Sequence, residues 1–317
     1  MRALSDADVE KLVPIREVVE AVEEAFKSFS LGLAVMPLRT RIEATAHKGD
    51  ILLMPCYLQE MNIFSVKLVT VYPENTSRGL PTIHAVVLVA DPSTGEPRVV
   101  AEARALTGMR TGAATAVSVK HLARRDSRVV GIIGCGYQAR WQLLALATVM
   151  RPDNILAYDI DKDRARSFVS RMKDELKCDI SLAGSAESLA RESDVIITVT
   201  TSKTPVVKAE WVRPGTHISA IGAYTPEMSE LEPTLIKRSK VVVDSLDAAK
   251  AEAGDIIQAV DKGFFRWEDI HAEIGEIIAG RKPGRERDDE ITVFKSVGLA
   301  VQDAAASKVL LNHFNTR

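Results

Sequence analysis

Lys67 stands where a cation is costly. The stretch 63–75, IFSVKLVTVYPEN, has the composition of a β-strand. Successive side chains of a strand take opposite faces, so Lys67 shares a face with Val69 and Val71, and Val66 and Leu68 take the other. An ammonium on an apolar face needs a partner. Other cations lie in nearby segments: Arg39 and Arg41 in LRTRI, His47 and Lys48 in HKGD, and Arg110 in TGMRTGAAT. Arginine's planar fork suits a carboxylate, and lysine adds a point charge. These residue types point to a small substrate bearing a carboxylate. A fixed acid such as Glu43 or Glu102 would satisfy Lys67 equally well.

A second chemistry lies in VVGIIGCGYQARWQ, where Gly134, Gly136 and Ala139 form G-x-G-x-x-A between an apolar strand and a helix. The first glycine makes the tight turn. The second lets the backbone approach a pyrophosphate, which rests on the helix N-terminus. Asp159 ends the next strand, 23 positions after Gly136, where a carboxylate would accept the ribose 2′-OH. Such a carboxylate repels a 2′-phosphate. The expected cofactor is therefore NAD(H), with NADP(H) as the alternative because Arg164 is close by. Cys135, inside the motif, reads as a small buried side chain.

The elements around these residues form two sets. Residues 14–31 are an amphipathic helix with Ile15, Val18, Val19, Val22, Phe26 and Phe29 at helical spacing. Short β runs follow at 51–54, 65–71, 83–90 and 98–101, with the turn cluster DPSTGEP between the last two, as in an antiparallel meander. A helix is expected at 103–122, its small residues TGAATAVSV permitting close approach of another backbone. From Arg128 the chain alternates strand and helix, with strands at 129–133, 155–159, 195–199, 218–221 and 241–244 and helices at 140–149 and 162–176. That alternation means a parallel sheet. A last helix, SVGLAVQDAAASKVLLNHF, carries a small-residue face able to close back onto the first set.

The chain has 317 residues, enough for two domains. Its net charge of −2 offers no broad attraction to nucleic acid or acidic membranes. No apolar leader and no membrane-length apolar run are visible. Cys56, Cys135 and Cys178 fit neither a disulfide framework nor a metal knuckle, and the six histidines are scattered. A reduced, cytoplasmic protein without a metal is expected.

The segments MPLRT, LLMPCY, KLVTVYPEN, GLPTIHAVVLV, MRTGAATAVSVKHLAR, GIIGCGYQAR, SDVIITVT, HISAIGAYTPEMSEL and FKSVGLAVQDAAAS, in this order and spacing, together resemble the ornithine cyclodeaminase/μ-crystallin family over almost the whole chain. The resemblance implies an α/β fold: a doubly wound Rossmann domain at 116–296, and an α+β substrate and dimerisation domain made of 1–115 and 297–317. It implies a homodimer. It implies Arg39, Lys67, Arg110 and Thr82 as substrate contacts. Thr111, Gly134, Gly136, Gln138, Ala139, Asp159, Thr200, Gly222 and Ser296 are implied as cofactor contacts.

Two positions depart from the family pattern. Tyr224, in IGAYTPEM, stands where the cyclodeaminase and the archaeal alanine dehydrogenase carry a catalytic aspartate, and Leu52 stands where some members have an arginine. Tyrosine ionises only near pH ~10, so it is a poor base at neutral pH but a usable hydrogen-bond donor. Deaminating an amino acid asks for a base, whereas reducing a protonated cyclic imine asks mainly for hydride and a carboxylate anchor. The expectation is an NADH-dependent reductase of a cyclic imino acid, Δ1-pyrroline-2-carboxylate or its piperideine analogue, with Lys67, Arg110 and Tyr224 as catalytic residues. Ornithine cyclodeaminase or alanine dehydrogenase is the first alternative. A ligand-binding protein with little turnover, like the crystallin branch, is the second.

Overall fold

The computed structural model describes residues 2–315. The chain forms two compact units, one of residues 1–110 and 299–317, the other of 111–298.

In the first unit the strands are β1 (Arg2–Leu4), β2 (Ala34–Val35), β3 (Thr40–Ala44), β4 (Gly49–Leu58), β5 (Ile63–Val71), β6 (Ile83–Ala90) and β7 (Pro97–Glu102). They form one sheet in the order β1-β7-β6-β5-β4-β2, with β3 also on β4. Strands β4 to β7 make the expected antiparallel meander. The β6–β7 turn is held by Asp91, whose Oδ1 accepts the Ser93 amide at 2.9 Å. Helices Ile15–Ser30 and Ala300–Asn315 pack on each other, and the latter also packs on β4 and β5. Along β5 the residues Ile63, Ser65, Lys67 and Val69 are buried, as alternation requires. The outward face is apolar but open: Leu68 pairs with Val86, and they are 39% and 40% exposed.

In the second unit the strands are β8 (Val129–Ile133), β9 (Asn154–Tyr158), β10 (Ile180–Leu182), β11 (Val195–Thr198), β12 (His217–Ala220), β13 (Lys240–Val243), β14 (Ala272–Glu273) and β15 (Thr292–Lys295). All pair in parallel, in the order β10-β9-β8-β11-β12-β15-β13-β14. The chain winds outward from β8 through β9 to β10, then returns to β11 on the other side. This reversal between β8 and β11 is a topological switch point, and ligands of such sheets bind outside the strand carboxyl ends there. Val130, Ile132, Leu143, Phe168, Met172, Val195 and Ile197 share the core under that point.

Two expectations about strands need correction. Strand β15, inserted between β12 and β13, was not foreseen: four residues ending in a lysine carry too little pattern to declare themselves. The last expected strand residues 159, 199, 221 and 244 lie just outside the strands, although the Val199, Ile221 and Asp244 amides still donate to Ile133, Thr198 and Lys295 on the neighbouring strands. The compact units divide at 110/111 and 298/299; the domain bounds expected were 115/116 and 296/297. The first division falls inside the continuous helix Arg104–Leu122. A Cβ on Gly112 would run into the backbone carbonyl of Trp141, so this helix already packs against helix Tyr137–Leu146 at that point. Helical periodicity does not mark where a helix changes partners.

Candidate active site

At the switch point a cleft of about 560 Å³ opens in the second unit, lined by Gly134, Gly136, Asp159, Arg164, Thr200 and Trp211 among others. Gly134 turns the chain out of β8 with φ +97°, and a Cβ there would lie 2.8 Å from the Val199 carbonyl oxygen. Only glycine suits such a turn. Gly136 caps helix Tyr137–Leu146, and a Cβ there would meet no protein atom within 4 Å. Its absent side chain leaves room in the cleft for a ligand's backbone-bound phosphates. Ala139, one turn on, is fully buried. The helix N-terminus supplies amides and a positive dipole end. Asp159 is held rigidly: its Oδ2 accepts the Cys135 amide at 2.8 Å and its Oδ1 the Asp161 amide at 2.9 Å. The nearest Arg164 nitrogen lies 3.8 Å from Asp159. This arrangement fits a dinucleotide, with pyrophosphate at Gly136 and ribose at Asp159. Burial, helped by the Asp159 charge, pushes the Cys135 thiol up to about 12, so it is no thiolate at neutral pH.

Glu230, which sequence reasoning passed over, organises one end of this crevice. It is fully buried. Its Oε1 accepts the Thr200 amide at 2.7 Å and the Thr200 hydroxyl at 2.9 Å. Its Oε2 accepts the Gly222 amide at 2.7 Å and the Ala223 amide at 3.2 Å. One carboxylate thus ties the chain after β11 to the chain after β12. Burial holds its pKa above the ordinary value, against the pull of Lys295. Behind it, Asp255 accepts the Glu230 amide at 2.6 Å and pairs with Lys295 at 2.9 Å. Tyr224 lies half-buried on the loop after Gly222. That loop is fixed from outside by Gln258, which donates to the Pro226 carbonyl at 3.0 Å. Asp244 does similar work beside β15, accepting the Ser296 hydroxyl at 2.7 Å and the Val297 and Gly298 amides at 2.9 and 3.0 Å. Ser296 is therefore engaged with Asp244, inside the protein.

In the first unit Lys67 does meet a fixed acid, and it is neither Glu43 nor Glu102. Glu43 lies exposed on β3, and Glu102 accepts the Asp6 amide at 2.8 Å. The partner is Asp303, from helix Ala300–Asn315. The Lys67 ammonium is 2.8 Å from its Oδ1 and 2.7 Å from its Oδ2. Arg110 donates from Nε to the same Oδ1 at 2.9 Å and from Nη1 to Gln302 Oε1 at 2.9 Å. The side chains of Lys67 and Asp303 are 1% and 0% exposed. Arg39, just before β3, is near enough to act on Lys67 electrostatically. Burial lowers the Lys67 pKa to about 7, with repulsion from Arg110 and then Arg39 adding to it and attraction to Asp303 opposing it. Two cations thus share one carboxylate, with Arg39 close enough to act on Lys67, whose pKa burial brings to about 7. Nothing in the strand or helix periodicity marks Asp303. Its one sequence signal is an acid among alanines on a helix whose small residues pack inward.

Of the remaining expected contacts, Thr111 is buried one residue after Arg110 in the helix. Gln138 is half-buried in the first turn after Gly136. Thr82 is half-buried, and its carbonyl accepts the Tyr72 amide at 2.8 Å. Leu52, in place of an arginine, is a buried β4 residue opposite Val69. Among the described residues no group of His, Cys, Asp and Glu could hold a metal ion.

Residues 2–316 match the model of the ornithine cyclodeaminase/mu-crystallin family. The chain belongs to this family. An alanine dehydrogenase of Archaeoglobus fulgidus is 46% identical over 97% of this chain and 93% of its own length. The structure of a Thermococcus litoralis Δ1-pyrroline-2-carboxylate reductase in complex with NADH and L-proline superposes with a TM-score of 0.97 at 45% identity, covering 100% of this chain and 98% of that one. An archaeal alanine dehydrogenase dimer with bound NAD gives a TM-score of 0.93 at 44% identity, covering 99% and 96%. In the ornithine cyclodeaminase/mu-crystallin family, then, this chain resembles both an imine reductase and an amino acid dehydrogenase.

Proposed function

We propose that the chain is an NAD(H)-dependent oxidoreductase that reduces a cyclic α-imino acid, Δ1-pyrroline-2-carboxylate to L-proline, with the six-membered piperideine carboxylate as a second candidate. The observation that carries this reading is the pair of cations Lys67 and Arg110 on the single carboxylate of Asp303: two cations meet one anion, and burial brings the lysine's pKa to about 7. The Thermococcus litoralis enzyme, bound to NADH and L-proline, supports the same reading.

Arg39 and Arg110 anchor the substrate carboxylate. Bound NADH would supply the hydride for the imine carbon. Lys67 gives or relays the proton that leaves the ring nitrogen as a secondary amine, so that imine, hydride and proton together yield the amino acid. Tyr224 donates a hydrogen bond and is no base at neutral pH. Gly134, Gly136 and Gln138 with the helix N-terminus hold the pyrophosphate, Asp159 the adenine-side ribose, and Thr200 and Gly222 the remainder. Holding the reactants in register and aiming fixed charge at the reacting group are the main sources of rate.

Asp159 favours NADH over NADPH. A homodimer accords with the open apolar face around Ile42, Leu68 and Val86 and with the dimer of the archaeal relative. No described helix is long and apolar enough to cross a membrane, and we place the enzyme in the cytoplasm, where its free cysteines stay reduced.

One observation favours a second reading, the reversible reductive amination of pyruvate to alanine: the 46% identity to the Archaeoglobus dehydrogenase. Ornithine cyclodeamination is disfavoured by Tyr224. A substrate panel followed at the NADH absorbance band separates these. Rapid NADH oxidation with pyrroline- or piperideine-2-carboxylate is the expected result. Turnover only with pyruvate plus ammonia, or ammonia release from ornithine, would replace the reading, and turnover with none would leave a ligand-binding protein.

A further inference from the structure

We infer that Asp303 is a positioning residue: its one carboxylate fixes both Lys67 and Arg110, and its negative charge keeps the buried lysine able to hold a proton between two arginines. The inference rests on the proposed role of Lys67 in handling the proton.

The geometry is specific. Oδ1 of Asp303 receives both Lys67 Nζ at 2.8 Å and Arg110 Nε at 2.9 Å. The neighbouring Gln302 completes the hold on the guanidinium at Nη1. That carboxamide cannot turn freely, because its Oε1 also accepts the Leu299 amide at 3.0 Å. Ala300, Ala304, Ala305 and Ala306 are buried on the same helix. Their size lets the helix sit close on β4 and β5, and a bulkier row would lift Asp303 off the lysine.

The groups that face Lys67 come from four elements. Asp303 comes from the C-terminal helix, Arg110 from helix Arg104–Leu122, Arg39 from the segment before β3, and Cys56 from β4. The Cys56 thiol is pushed up to about 12 by burial and by Asp303, and stays neutral. The strand neighbours opposite Lys67 are Met54 and Val87, both apolar. Asp303 is therefore the only counter-charge among these groups. Without it, a buried ammonium would face two guanidinium groups and give up its proton more readily.

The test is an NMR titration of the full-length protein labelled with 15N-lysine, without substrate, with the Lys67 Nζ signal assigned by its loss in Lys67→Arg. In Asp303→Asn the titration midpoint should fall by about one pH unit or more. In Arg110→Gln it should rise. Asp303→Glu should restore most of the wild-type midpoint. An unchanged midpoint in folded Asp303→Asn would overturn the inference. Should that variant not fold, an unchanged or lowered midpoint in Arg110→Gln overturns it instead. Because no substrate is present, shifted midpoints in a protein that reduces no imine would reject the proposed reaction and leave the positioning role standing.

Discussion

The Lys67 ammonium lies 2.7 Å from a carboxylate that enters the chain 236 positions later, that of Asp303. A buried ion pair alone is weak evidence of function, since it need do no more than satisfy itself. Here the pair is not balanced. Arg110 shares the same carboxylate, so two cations meet one anion, as the proposed binding of an anionic substrate requires.

Lys67→Ala should lower kcat/KM for the imine by about 10²-fold or more. Asp303 keeps Arg110 as partner in that variant, so the fold should survive with a modest loss in Tm. Steady-state kinetics beside a thermal melt check this, and near-normal turnover in a folded variant contradicts the assignment.

The pH dependence follows from the same lysine. Its pKa is lowered to about 7 from an ordinary 10.5. Imine reduction needs the protonated form, so kcat/KM for reduction should be highest below about 7 and fall as pH rises through it. Oxidation of L-proline, which needs the neutral amine, should rise over the same range. The stability effect has the sign of a depressed lysine. Between about 7 and 10.5 the unfolded chain holds a proton that the folded chain lacks, so this group makes folding more favourable as pH rises across that window. A reductase rate that climbs from neutral to alkaline pH would count against Lys67 as proton donor.

The two glycines of the motif should separate by phenotype. Gly134→Ala places a Cβ 2.8 Å from a backbone oxygen at positive φ and should lower Tm. Gly136→Val puts its Cβ where no protein atom lies within 4 Å, so it should melt close to the wild type while raising KM for NADH about tenfold or more. Equal KM in Gly136→Val would remove the pyrophosphate from that position.

Much of this was legible in the sequence for physical reasons. Strand alternation alone turned Lys67 inward, and the spacing from Gly136 to Asp159 anticipated two sides of one cleft. Asp303 and Glu230 were not legible. Each acts through contacts with residues distant in sequence, and neither alters a local periodicity. Glu230 sits in a loop, where no repeat exists to be broken. Strand β15 escaped because a four-residue strand between two others draws its stability from its neighbours.

Asp159 should set cofactor choice. On the proposed reading its rigid carboxylate accepts a 2′-OH and repels a 2′-phosphate, so kcat/KM with NADH should exceed that with NADPH, and Asp159→Ser should narrow the gap. A KM for NADPH well below that for NADH would overturn the preference.

The central claim is that the cationic cluster recognises the carboxylate of an imine reduced by NADH. Its most direct test compares kcat/KM for Δ1-pyrroline-2-carboxylate with that for 1-pyrroline, the same ring without the carboxylate. The account predicts rapid NADH oxidation with the first and a loss of about 10³-fold or more with the second, because the ring without a carboxylate gives the cations nothing to anchor. Comparable turnover of both rings would contradict it.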